Sequence, residues 1–269
     1  MKAFLIDVGM CNGCHCCQIA CKDEHVGNDW TPYAKPQPDT GQFWLKQNEY
    51  VRGTVPKVKV HYLPILCMHC DEAPCIPSCP IEGAIYKRAD GLVVIDPIRC
   101  TGCKSCVDSC PYGAIYFNED LNIAQKCTGC AHLVDRGWKE PRCVDACPTG
   151  ALKFMEESEA KALIKGSETF HPEFKAKPRV YYKNYPKKFV AGTIYDPKAK
   201  EIVKGATCTL EGSGKKYTAV TDGFGDFWFE GLPEGKFSLK IEAKGFAAKS
   251  IGSINTEKDV NLGDIPLVK

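Results

Sequence analysis

Sixteen cysteines within the first 147 residues fall into four groups of four. They are Cys11, Cys14, Cys17 and Cys21; Cys67, Cys70, Cys75 and Cys79; Cys100, Cys103, Cys106 and Cys110; and Cys127, Cys130, Cys143 and Cys147. The first and third groups follow C-x2-C-x2-C-x3-C; the second widens the middle gap to x4 and the fourth widens it to x12. Three groups end in Cys-Pro, at Cys79-Pro80, Cys110-Pro111 and Cys147-Pro148. Thiolates at i, i+3 and i+6 on a short loop can wrap three corners of an iron–sulfur cube, with backbone N–H groups turned toward its sulfurs. The next cysteine, four residues on, lies past a turn and is left for a neighbouring cube. The proline behind it fixes φ and sends the chain out in a set direction. Such a chain is built to hold several clusters, and the chemistry they offer is electron transfer.

Two other uses of cysteine fit less well. Zinc takes C-x2-C pairs, four thiolates at a time, but its sites pair two knuckles and do not use C-x2-C-x2-C-x3-C-P. A disulfide framework is disfavoured by the length of the chain, the lack of a visible secretory signal and the poor disulfide geometry of cysteines spaced x2 apart. The 269 residues allow one large or two ordinary domains. A formal net charge of +2 argues neither for nor against nucleic acid, and no nucleic-acid partner is assigned. No apolar run approaches a membrane span, so no direct span is expected and the chain reads as cytoplasmic.

The elements that position the cysteines follow from an internal repeat. Cys79-Pro80-Ile81-Glu82-Gly83-Ala84-Ile85-Tyr86 echoes Cys110-Pro111-Tyr112-Gly113-Ala114-Ile115-Tyr116, and Cys147-Pro148-Thr149-Gly150-Ala151-Leu152 echoes both. Each copy reads as a short helical turn, then a glycine, then a small strand. After the first copy, Ala89-Asp90-Gly91 signals a turn and Leu92–Asp96 a returning strand. Groups two and three should therefore form one unit that exchanges Cys79 and Cys110. By elimination, groups one and four pair and exchange Cys21 and Cys147. Residues 28–64 form an aromatic, proline-rich insertion that either covers clusters, docks a partner or simply packs. The x12 gap, with His132, Trp138 and Arg142, offers the same choices. Met155–Gly166 reads as a helix, and residues 169–188 as an extended connector whose Val180-Tyr181-Tyr182 wants burial.

From Phe189 the composition changes to glycine-rich alternating runs: Val190–Tyr195, Ala206–Leu210, Tyr217–Thr221, Phe227–Phe229 and Phe237–Ile241. Strands at this spacing, with turns at Asp222-Gly223 and Leu232-Pro233-Glu234-Gly235, indicate an all-β sandwich or barrel. Cys208 alternates inward with Ala206 and Leu210 and reads as a core residue.

Residues 1–188 resemble the iron–sulfur subunit of the dimethyl sulfoxide reductase family of molybdenum and tungsten enzymes. The resemblance rests on Cys11-Asn12-Gly13-Cys14-His15-Cys16-Cys17-Gln18-Ile19-Ala20-Cys21-Lys22-Asp23-Glu24, on Cys67-Met68-His69-Cys70-Asp71-Glu72-Ala73-Pro74-Cys75, and on the order of the four groups. It implies a tandem bacterial-ferredoxin-like four-cluster domain and a heterodimer with a large catalytic molybdopterin subunit, which alone would carry that cofactor. It also implies the ligand sets: Cys11, Cys14, Cys17 and Cys147; Cys21, Cys127, Cys130 and Cys143; Cys67, Cys70, Cys75 and Cys110; Cys79, Cys100, Cys103 and Cys106. The last 80 or so residues resemble a transthyretin-like or carboxypeptidase-regulatory-like domain through Gly192-Thr193-Ile194-Tyr195-Asp196, Thr221–Phe227 and Gly231–Gly235. The expected class is α+β, with residues 1–188 (insertion 28–64, connector 155–188) followed by the β domain at 189–269.

Sixteen cysteines give capacity for four [4Fe–4S] clusters, with occupancy by three left open. Cys16 lies off the ligand register and reads as a spare thiol packed near a cluster, with ligand exchange with Cys17 as the alternative. Lys22, Lys104 and Lys126 sit close to ligand cysteines, where positive charge would favour a reduced cluster. His15 and His69 lie in cluster loops without replacing a cysteine. No catalytic constellation is present, so substrate chemistry is expected in a partner. Three functions compete: an electron-transfer subunit of a molybdoenzyme, a free-standing polyferredoxin, and a docking subunit whose clusters carry no net current.

Overall fold

The computed structural model describes residues 1–269. Two compact units divide the chain: Met1–Tyr50 with His61–Tyr185, and Val51–Val60 with Pro186–Lys269.

In the first unit the strand Lys2–Asp7 is central to a four-stranded sheet. Leu152–Glu156 pairs antiparallel on one side, with Phe4 opposite Phe154. Val180–Lys183 pairs parallel on the other, with Phe4 opposite Val180, and Glu168–Thr169 forms the far edge. Ala3, Phe4, Leu5 and Ile6 are all buried, as a strand covered on both faces requires. Val180 and Tyr182 are buried while Tyr181 and Lys183 are half-exposed, the period of two of a strand covered on one face. The helix read at Met155–Gly166 is shorter, Glu157–Ile164, because Leu152–Glu156 is drawn into the sheet.

Two three-residue hairpins follow the Cys-Pro repeats: Ile85–Lys87 with Val93–Ile95, and Tyr116–Asn118 with Ile123–Gln125. Four helices carry cysteines: Cys16–His25, Cys75–Ser78, Ser105–Ser109 and Arg142–Asp145. The last three span only four or five residues. Each stops before the Cys-Pro step, because the residue before proline is pushed out of the helical region. Cys79 and Cys110 are accordingly extended, with ψ of 122° and 106°. The first group has Lys22 in place of that proline, and its helix continues through Cys21.

The second unit is a sandwich of two open sheets, so the barrel alternative is not realised. In one sheet Lys188–Asp196 pairs antiparallel with Asp226–Leu232 and Glu201–Ile202, and parallel with Val260–Pro266. The other runs in the order Lys215–Val220, Thr207–Gly212, Lys236–Glu242, Lys249–Asn255. Phe237, Leu239 and Ile241 point inward, alternating with exposed Lys236, Ser238, Lys240 and Glu242. Each inward side chain contributes about 1.5–3 kcal/mol. Cys208 is fully buried between Ala206 and Leu210 in this core.

The stretch 28–64 is divided between the units. Leu45–Thr54 and Lys57–Leu66 form a hairpin whose tip, Val51–Val60, belongs to the second unit. There Arg52 grips Asp259 through Nε at 2.8 Å and Nη2 at 2.6 Å, and buried Lys57 pairs with Asp226. Burial pushes the Asp226 carboxyl up, but hydrogen bonds from Lys57 and Thr193 outweigh it and hold the group below the usual carboxylate range. A depressed folded value means that the pair stabilises above the ordinary carboxylate pKa and loses this contribution as pH falls through the depressed one. Asp226→Asn should cost about 2–3 kcal/mol at pH 7, because Lys57 stays buried without its anion. The difference from wild type in urea denaturation should shrink below about pH 4; a difference that persists unchanged at pH 3 would refute this account.

Candidate metal centres in four thiol quartets

The structure gathers the sixteen cysteines into four quartets, each drawing on two sequence groups. Cys17 is surrounded by Cys11, Cys147 and Cys14. Cys21 and Cys143 face each other and both face Cys127 and Cys130. Cys70 faces Cys67, Cys75 and Cys110. Cys106 faces Cys100, Cys103 and Cys79, and also Cys75 of the third quartet. No three of these side chains, or of any His, Asp or Glu, converge closely enough to hold a single metal ion. A mononuclear zinc site would bring its four sulfurs to about 2.3 Å from one ion.

The quartets follow one another in a line. Cys17 of the first reaches Cys143 of the second, Cys67 of the third reaches Cys127 of the second, and Cys75 of the third reaches Cys106 of the fourth. The two end quartets each have one exposed cysteine, Cys14 and Cys103. The second is buried throughout, and in the third only Cys110 is partly exposed.

The donor set fits anionic clusters. Burial pushes the thiols of Cys17, Cys70, Cys106 and Cys130 up to about 12, with neighbouring thiols adding to the shift. Burial likewise raises Cys75 and Cys127 to about 11, and Cys21 and Cys143 well above the ordinary value. So many dry thiols would stay protonated on their own, whereas a bound metal deprotonates its thiol outright. Backbone N–H groups are already turned toward the sulfurs. Gly129 donates to Cys127 Sγ and Ala124 to Cys100 Sγ, each at 3.4 Å. Burial raises Cys147, yet the N–H groups of Leu152, Thr149 and Ala151 and the Thr149 hydroxyl outweigh it and lower the thiol. A pocket lies among Cys67, Cys70, Cys75 and Cys110, lined also by Val93 and Ile115.

Loop geometry adds residues that spacing alone does not single out. The residue before the second cysteine of every group has positive φ: Gly13 at 72°, His69 at 45°, Gly102 at 75° and Gly129 at 63°. A side chain on the glycines would also collide: a Cβ would meet the Tyr62 ring at 2.5 Å, Asn122 at 2.6 Å and Leu92 at 2.8 Å respectively. The signal is present as Cys-x-Gly-Cys in three of the four groups. His69 holds the same conformation without being glycine. It is buried, and its Nδ1 accepts the Val93 N–H at 3.0 Å. His15, also at positive φ, is exposed, and Cys16 is exposed beside Cys14.

The aromatic insertion and the x12 segment pack together beside the second quartet. Trp30 stacks on His132 at 4.4 Å, and Trp44 lies 4.5 Å from His25. His25 Nε2 is 3.9 Å from Cys130 Sγ. His132 reaches Glu24 at 2.9 Å, and Arg142 reaches the same carboxylate at 3.4 Å. Trp138 remains largely exposed.

Residues 58–157 match the 4Fe-4S dicluster domain, and residues 190–267 the carboxypeptidase regulatory-like domain. Over 98% of its length the chain is 39% identical to the pyrogallol hydroxytransferase small subunit of Pelobacter acidigallici, of which it covers 98%. The protein belongs to this family of iron–sulfur subunits. Other iron–sulfur subunits match about half of it. A tetrathionate reductase subunit of Salmonella typhimurium is 39% identical over 50% of each sequence. The probable anaerobic dimethyl sulfoxide reductase protein YnfG of Escherichia coli is 39% identical over 51% of this sequence and 65% of its own. The iron–sulfur subunit is thus an electron-transfer subunit of the type that serves molybdoenzymes of the dimethyl sulfoxide reductase family, and its cofactors are [4Fe–4S] clusters. No helix is long and apolar enough to cross a membrane.

Proposed function

We propose that this chain is the small subunit of a heteromeric molybdopterin hydroxytransferase acting on pyrogallol or a closely related polyphenol. Under this reading the sixteen quartet cysteines are the ligands of four cubes. The likeness to the Pelobacter subunit over 98% of both chains, against about half of this chain for the other relatives, carries the substrate class. The line of quartets, exposed at Cys14 and Cys103 and buried between them, supports conduction from one face to another. When bound, each cube supplies one-electron redox chemistry. This chain's own residues fix the path: cysteines from paired loops place the cubes in order, and apolar side chains such as Val93 and Ile115 line the third.

The large partner performs the substrate chemistry. Hydroxyl transfer between phenols involves no net oxidation, so the clusters set the redox state of the partner's metal and need carry no steady current. A cytoplasmic location belongs to the same reading. Metal analysis of the complex, isolated without oxygen, should find about sixteen irons per small subunit, together with molybdenum or tungsten. Iron in a lone chain with neither heavier metal would instead mark a free polyferredoxin.

A further inference from the structure

The three lysines near the cluster loops differ sharply in their surroundings. Lys22 reaches the Pro38 carbonyl at 2.9 Å and lies 4.9 Å from the Phe43 ring. Lys104 is exposed and pairs with Glu119 at 3.0 Å. Lys126 is only 2% exposed. Its ammonium donates to the carbonyls of Val93 and Cys127, and no carboxylate meets it. A buried ammonium is costly unless an anion compensates it. Cys75 and Cys110 of the third quartet and Cys127 of the second are within reach of its charge. The other cationic groups nearby are accounted for. Lys87 is held by Asp71 and by the Cys70 carbonyl. His69 accepts a backbone N–H, and burial keeps it neutral.

We propose that Lys126 is the fixed countercharge between the second and third clusters and raises the reduction potential of the third. This rests on the reading that the quartets hold cubes. A cube held by four thiolates is anionic in both redox states, and it gains one more negative charge when an electron enters, ferric iron becoming ferrous with no bond broken. A fixed positive charge therefore stabilises the reduced state more than the oxidised one. Salt and water screen Lys104, whereas the dry surroundings of Lys126 screen it far less. Lys126 donates to the carbonyl of Val93, a residue that lines the third pocket, so the third cube is the one it borders most directly. The third relay is then a place where an electron rests.

The test is a dithionite titration of the whole complex, followed by electron paramagnetic resonance. In Lys126→Gln one reduction wave should shift down so that its reduced-to-oxidised ratio at a fixed potential falls about tenfold, equivalent to about 59 mV for one electron. A second wave should move less and the remaining two stay. Lys126→Arg should keep the wild-type waves. Should the glutamine variant lose iron, Lys126→Met serves the same comparison. Unchanged waves in an uncharged variant with full iron overturn the proposal, as does an equal shift in Lys126→Arg. A wild-type complex without cubes would overturn the underlying reading instead.

Discussion

Replacing Cys110 with alanine should empty the third quartet and leave the fourth filled, although Cys110 belongs by sequence to the group that builds the fourth. Iron should fall from about sixteen to about twelve per chain. The resonance signal that disappears should be the one removed by Cys75→Ala, not the one removed by Cys103→Ala. The reason is the Cys-Pro step. Cys110 follows the helix Ser105–Ser109 in an extended conformation, and its thiol lies by Cys67 and Cys70. Burial raises that thiol, while the N–H groups of Ala114 and Tyr112 are aimed at its sulfur and partly offset the effect. Without it, the pocket keeps three thiols and loses its fourth corner. Metal binding is part of the folding energy of such sites, so the loss should also lower the unfolding midpoint. If Cys110→Ala instead removed the same signal as Cys103→Ala, the pairing of sequence groups would be wrong.

The site is legible in the sequence because its information is local. Spacings of three and four residues, and a Cys-Pro-x-x-Gly or Cys-Pro-x-Gly echo, set the loops, short helices and hairpins. The alternation of Phe237, Leu239 and Ile241 marks a core strand for the same reason. What escapes is non-local or weakly patterned. The pairing of Lys2–Asp7 with Leu152–Glu156 and Val180–Lys183 joins segments roughly 150 residues or more apart, and no short-range rule announces it. His69 adopts a conformation suited to glycine, and its ring accepts the N–H of Val93, 24 residues away. Val51–Val60 reads as part of one insertion, yet Arg52–Asp259 and Lys57–Asp226 tie it to residues about 170 or more positions away. The strands Lys249–Asn255 and Val260–Pro266 are hard to read because few of their residues are buried and the apolar alternation is faint.

Gly102→Ala should be far more damaging than Gly113→Ala, though both glycines sit at positive φ within three residues of a quartet cysteine. Their φ angles are 75° and 59°. Left-handed backbone costs an alanine about 1–2 kcal/mol at either site. At Gly113 nothing lies within 4 Å of the added methyl, so that strain is the whole expected loss and iron should stay at the wild-type level. At Gly102 the methyl would stand 2.6 Å from the Asn122 backbone oxygen. That oxygen cannot rotate away, because Asn122 is itself at positive φ in the hairpin turn and its N–H is bonded to the Glu119 carbonyl. Overpacking adds about 1–3 kcal/mol or more. Relief requires moving either the Cys100–Cys103 loop or the hairpin, and the hairpin also donates the Ala124 N–H to Cys100 Sγ. Either movement displaces thiols of the fourth quartet. Iron in Gly102→Ala should therefore drop toward about twelve per chain, with a total destabilisation of about 2–5 kcal/mol. Equal behaviour of the two variants would mean that φ alone selects glycine at these loops and that the close approach of Asn122 has no role in holding the cluster.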